Sequence, residues 1–216
     1  MRPLAEGKRD RGQTFPLYVV VVAGLLFAAL ALFVVGFAGA ARSDGQGAAD
    51  AAALAAAGEV RDDVFTGLVL DDLTPDDWGD LLGGDFFDVG AACAEAGSFA
   101  AQNDASVTGC EPALPRVTVD VRTNRAVGDS VVPGTESTYA VASATAVIEP
   151  RCTLDPAPTA TATPSPTPNP PNPPTPPVPD PVNFLCEDGK DFKLDPLDPG
   201  EPAELARRLF KVRLDG

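Results

Sequence analysis

From Gln13 to Ala41 the chain carries no charged residue, and TFPLYVVVVAGLLFAALALFVVGFAGAA within that run is almost wholly apolar. About 20 helical residues cross the hydrocarbon core of a bilayer, so the run spans one with some tilt. Inside lipid a lone segment satisfies its backbone only as a helix. Whatever else folds must therefore hang from the end of one apolar helix. Before the run stand Arg2, Lys8, Arg9 and Arg11 against Glu6 and Asp10. The positive-inside bias puts this end in the cytoplasm and the rest outside, as a retained single-pass anchor in the cell membrane. A cleaved signal peptide has an apolar region of about 7–15 residues, shorter than this one, although Ala38-Gly39-Ala40 has the small-residue form of a cleavage site.

Gly24 with Ala28, and Gly36 with Ala40, are small pairs four residues apart, a spacing that lets membrane helices approach closely. Beyond the span comes GQGAADAAALAAA, Gly45 to Ala57. Alanine is the best helix former, so Ala48–Ala57 is predicted to continue as a helical stem, with Gly45 and Gly47 weakening the junction as a hinge. Ala49, Ala53 and Leu54, with Asp50 among them, are further candidates for helix packing.

The short basic N-terminus, Gly12-Gln13, the span, then Arg42, Gln46 and Ala48-Ala49-Asp50-Ala51-Ala52-Ala53-Leu54-Ala55 resemble the start of TadG-like proteins. These belong to the TadE/TadG group of the Flp (tight adherence) pilus systems, here of actinobacterial type. Gly45 and Gly47 stand where that family more often has larger apolar residues. A pilin-type leader would be cut after Gly12, which puts Leu17 at the fifth mature position, where type IV pilins carry glutamate. The resemblance implies a bitopic, non-enzymatic part of a pilus assembly or secretion apparatus. Its partners would be the lipid bilayer and other membrane proteins or pilins of that apparatus.

The net charge is −15, and the excess of acid lies entirely beyond Gln13. Such a body disfavours nucleic acid, whose phosphates need clustered Lys and Arg. There is no histidine, which removes the commonest general base and every His-containing zinc site. No enzyme activity, metal, cofactor or small-molecule substrate is expected. The acids at Asp71-Asp72, Asp76-Asp77 and Asp80 do not follow the order of a calcium loop. Thr74-Pro75-Asp76-Asp77 instead reads as a helix start, with Thr74 as cap and the nearby Trp78, Phe86 and Phe87 packing the helix on the body.

Ala91–Gln102 is predicted helical, and Ala105–Thr108 a short extended stretch. RVTVDVRT and STYAVASATAVIEP alternate with a period of two, the first burying Val117, Val119 and Val121, the second offering a row of alanines to a closely packed helix. This order, closing on Glu149-Pro150-Arg151-Cys152, resembles TadE/TadG-type proteins and the pilin architecture of a helix laid on a small antiparallel sheet. In the tail, Leu209, Lys211 and Arg213 alternate with Phe210, Val212 and Leu214 as a third strand, and Glu201–Arg208 is open to a short helix.

Cys93, Cys110, Cys152 and Cys186 contain no C-x-x-C pair, and outside the membrane an even count reads as disulfides. Three connectivities are open; Cys93–Cys110 and Cys152–Cys186 are favoured, the second bracketing a proline arm. From Pro156 to Pro181, 13 of 26 residues are proline, a composition that favours extended polyproline II and disorder over a packed core.

The expected architecture is α+β. It comprises a cytoplasmic segment (1–12), a transmembrane helix (13–41), an alanine-rich stem (42–60) and a pilin-like helix-plus-antiparallel-sheet domain (61–152). A disordered proline-rich loop (153–185) and a returning C-terminal segment (186–216) complete it. An envelope-binding module on a membrane stalk is the alternative to the apparatus component, and a secreted enzyme with a carboxylate site is a more distant one.

Overall fold

The computed structural model describes residues 14–126, 138–155 and 180–215. Its first element, α1 (Thr14–Asp63), is one unbroken helix of 50 residues, about 75 Å long at 1.5 Å per residue. Its two halves meet different surroundings. Phe15–Phe33 has a mean hydropathy of 2.5 with none of it buried, and is long and apolar enough to serve as a membrane anchor or a signal sequence. From Ala48 onward the helix enters the body, where Ala48, Ala49, Ala52, Ala53, Ala56, Ala57 and Val60 are fully buried. Adjacent pairs recurring every four residues make a broad stripe, wide enough to be covered on two sides.

A 3-10 turn (Leu70–Asp72) leads to α2 (Pro75–Gly83), α3 (Ala92–Gln102), β1 (Ala105–Ala113), β2 (Arg116–Ala126) and β3 (Tyr139–Pro150). Then follow β4 (Cys152–Leu154), β5 (Val182–Cys186), β6 (Asp191–Leu194), α4 (Pro202–Leu209) and β7 (Phe210–Leu214). The strands form two antiparallel sheets, ordered β1-β2-β3-β7 and β4-β5-β6.

On the larger sheet, Val117, Val119 and Val121 of β2 and Ala144, Ala146 and Ile148 of β3 turn inward. Against them lies the alanine stripe of α1, whose other flank takes Ala92, Ala96 and Ala100 of α3. Small side chains on all three elements allow backbones to approach closely at interior packing density. The opposite sheet face is polar, with a Thr118–Thr145 hydroxyl pair at 2.8 Å and Glu149 bridging Arg213 and Lys211.

The alanine tract is thus the core of the body rather than a separate stem, and the folded unit begins inside the segment expected to lead up to it. Nor do the glycines make a hinge in this structure. A Cβ at Gly45 would sit 3.3 Å from the Ala140 Cβ, so glycine there serves close contact with the sheet. Gln46 donates from Nε2 to the Ser143 carbonyl at 3.3 Å, which sets β3 running alongside α1 away from the span. At the far end, 17 residues and about 25 Å beyond Gly45, Asp62 meets Arg207 of α4.

Thr74 caps α2 as expected. Its Oγ1 accepts from the Asp77 amide, the Asp77 carboxylate accepts from the Thr74 amide at 2.8 Å, and Pro75 opens the helix. Gly84 ends it at φ 97°, a left-handed cap suited to glycine. Trp78 is buried between Phe65 and Phe184, and Phe87 meets Phe210 edge-on, so these aromatics do pack α2 and its following loop on the body. Strand β1 runs five residues beyond the expected stretch because it pairs along β2 as far as Ala113, with a bulge between Val107 and Gly109. The tail resolves as helix, then strand: Leu209 closes α4, and β7 becomes the fourth strand of the larger sheet. The small sheet was not expected, and it takes both ends of the segment read as a loop. Residues 156–179, where polyproline II was expected, lie outside the described residues.

Candidate functional site

Two regions offer surfaces for interaction: the bare half of α1 and the end of the body farthest from it. On α1, Gly24, Ala28 and Gly36 are exposed, and a Cβ added at Gly24 or Gly36 would meet nothing within 4 Å. Ala40 lies in the same helix, and its side chain is outside the described ones. The two small pairs are 12 residues apart, which turns the second by about 120° from the first at 3.6 residues per turn. They therefore lie on different faces of the helix. Ala49 and Ala53 are consumed inside the body, Leu54 packs at the core margin, and Asp50 accepts from Gln46 Nε2 at 2.7 Å. Four of the eight helix-packing candidates are thus on the span and four in the body.

The disulfides join Cys93 to Cys110 midway along the larger sheet, and Cys152 to Cys186 at the far end. The first ties α3 to β1. The second links residues directly opposite in the β4–β5 ladder, beside Leu154 opposite Phe184 and the Asp155 amide donating to the Asn183 carbonyl at 2.9 Å. The chain leaving after Asp155 and returning at Asp180 is therefore held at both feet. Phe184 is fully buried and anchors this strand against Trp78, 5.6 Å between ring centroids.

Beside the disulfide, a cleft of about 540 Å³ opens between β5, β6 and α4. Arg151, Lys190, Arg207 and Arg208 line it, and so do Glu187, Asp188, Asp191 and Glu204. Much of this charge is paired. Arg207 grips Asp62 through Nε at 3.1 Å and Nη2 at 2.6 Å, Lys211 meets Glu187 at 2.7 Å, and Lys190 meets Asp188 at 3.7 Å. The Arg208 guanidinium lies over the Phe192 ring, 4.8 Å from its centroid. Burial pushes the Asp62 carboxyl up, but hydrogen bonds from Arg61 and Arg207 and their charge outweigh it and hold the group below its ordinary value. The sole thiol side chain of the lining, Cys186, is bonded as a disulfide. The cleft thus presents four basic and four acidic side chains, much of that charge already paired, a lining suited to polar contacts. Sequence reasoning missed it because it is assembled from residues 151, 186–192 and 204–208, which no spacing in the chain brings together. Among the described residues no three Cys, Asp or Glu side chains converge so as to hold a metal ion.

No protein-family model matches the chain, and comparison with curated proteins and with solved structures returned no match either.

Proposed function

We propose that the chain is a membrane-anchored, non-enzymatic component of a Flp/Tad pilus assembly or secretion apparatus, minor-pilin-like in kind, as its resemblance to TadE/TadG-type proteins implies. The observation that supports this reading is the division of α1: a bare apolar half, then a half buried as the spine against a small antiparallel sheet. A helix so divided joins an assembly by inserting its free half among other membrane helices, while the body stays outside. Gly24 with Ala28 and Gly36 with Ala40 would supply the close contacts, and no covalent step is needed.

Intact mass of the protein from membranes, with and without reductant, tests the first requirement. A full-length mass with two disulfides, and cross-links from the span to polytopic proteins or pilins of the apparatus, are the expected outcome. Loss of residues 1–12 would make it a processed filament subunit. Loss of residues 1–40 would remove the anchor and end the proposed mechanism. The held feet of the arm, far from the span, favour a second reading as an envelope-binding module. Retention on wall material that vanishes when residues 156–179 are exchanged for a Gly-Ser linker would establish it in place of the first.

A further inference from the structure

The end of the body nearest the span has its own chemistry. Gly45 packs on Ala140, Ala142 and Thr123, so the last turns of β2 and the first of β3 stand level with the helix just past its apolar run. Four residues separate Ala41 from Gly45, about 6 Å of helix rise. The headgroup layer of a bilayer occupies about 5–8 Å on each side of the hydrocarbon. On the outer sheet face at this level, the Arg122 guanidinium lies 4.9 Å from the centroid of the Tyr139 ring. Val141, opposite Arg122 in the ladder, is 72% exposed, more than any other large apolar residue of the body among the described residues. Arg125 pairs with Asp104, whereas Arg42 and Arg122 have no carboxylate partner among the described residues. Among the described residues Asp44 also lies at this level, and Asp120 stands two residues from Arg122 on the same face of β2.

We propose that this end of the body docks on the outer leaflet, with Arg42 and Arg122 binding lipid phosphate and Tyr139 and Val141 seated at the headgroup boundary. Arginine presents a planar fork suited to phosphate, and tyrosine favours the membrane–water boundary. Docking would hold the sheet upright beside α1 and fix the height of the distal cleft and arm. The proposal rests on the anchor reading of α1.

The test uses the full-length protein in nanodiscs of phosphatidylglycerol with or without brominated acyl chains near the headgroup. The sole tryptophan, Trp78, is buried against Phe184 at the far end and serves as an internal reference. With Tyr139→Trp, the added emission should fall by about half or more in brominated discs, as for an indole at the boundary, while wild-type emission is unchanged. Arg122→Glu in the same background should largely abolish the quenching, with the melting curve unaltered. An inserted, carbonate-resistant helix with unquenched emission, or quenching indifferent to Arg122→Glu, overturns the docking alone. A protein that leaves the lipid on carbonate washing overturns the anchor reading and the docking together.

Discussion

Asp62 shows how one side chain can serve a distant contact. It lies at the last turns of α1, 22% exposed, and accepts from its neighbour Arg61 and from Arg207, 145 residues away. Its carboxyl is held below its ordinary value, so its contribution is complete above the unfolded-state value and disappears as pH falls through the lower folded-state one. The prediction follows that Asp62→Asn melts below wild type at neutral pH and that the two curves converge in strong acid. Thermal melts from pH 7 to pH 2 would measure this; a gap that widens with acid would contradict it. No sequence pattern marks Asp62, since an acid at a helix end beside an arginine is ordinary until Arg207 is brought to it.

At the scale of elements, α1 meets the larger sheet through its own alanines, set against valines of β2 and alanines of β3. Gly45 is a close point of that contact, and Gly47, two residues on, faces open space. Substitutions at the two should act with opposite sign. Gly45→Val adds a branched side chain where even a Cβ would be crowded, and overpacking of this kind costs about 1–3 kcal/mol. Gly47→Ala meets no obstacle and should stabilise by about 0.5–1 kcal/mol through helix propensity. Chemical denaturation of the two variants would measure the difference, and equal effects would show that the Gly45 contact is not made. Both glycines read alike in the sequence, as helix weakeners; only the strand beside one of them separates a packing glycine from an indifferent one.

For the molecule as a whole, α1 is one helix with two surroundings, bare along its apolar first half and enclosed by the body along its second. Phe15–Phe33 contributes nothing to the core, whereas Ala48–Ala57 lies inside it. Removing residues 1–41 should therefore leave a soluble, disulfide-bonded body with an unchanged melting transition. Removing residues 1–57 withdraws six buried alanines together with the surface on which the sheet and α3 rest, and should abolish cooperative unfolding. Circular dichroism and melting of the two fragments would decide; a folded shorter fragment would restore the alanine tract to the role of a stem. The disulfides act at the same scale. Closing loops of 17 and 34 residues contributes about 3–4 kcal/mol each in the chain-entropy account.

What could be read from the chain was local. An uncharged apolar run of this length forms a helix long enough to cross a bilayer. Thr74-Pro75-Asp76-Asp77 satisfies the first amides of α2 within one turn, and the valines of β2 alternate because a pleated strand has a period of two. The row of alanines on β3 even announced a close helical partner. Tertiary structure alone decided where those surfaces went. Alanine favours helix whether it faces water or core, so propensity could not tell a stem from a spine. The small sheet, the foot of the arm and the charged cleft join segments tens of residues apart, whose pairing depends on long-range burial and leaves no periodic mark in the chain.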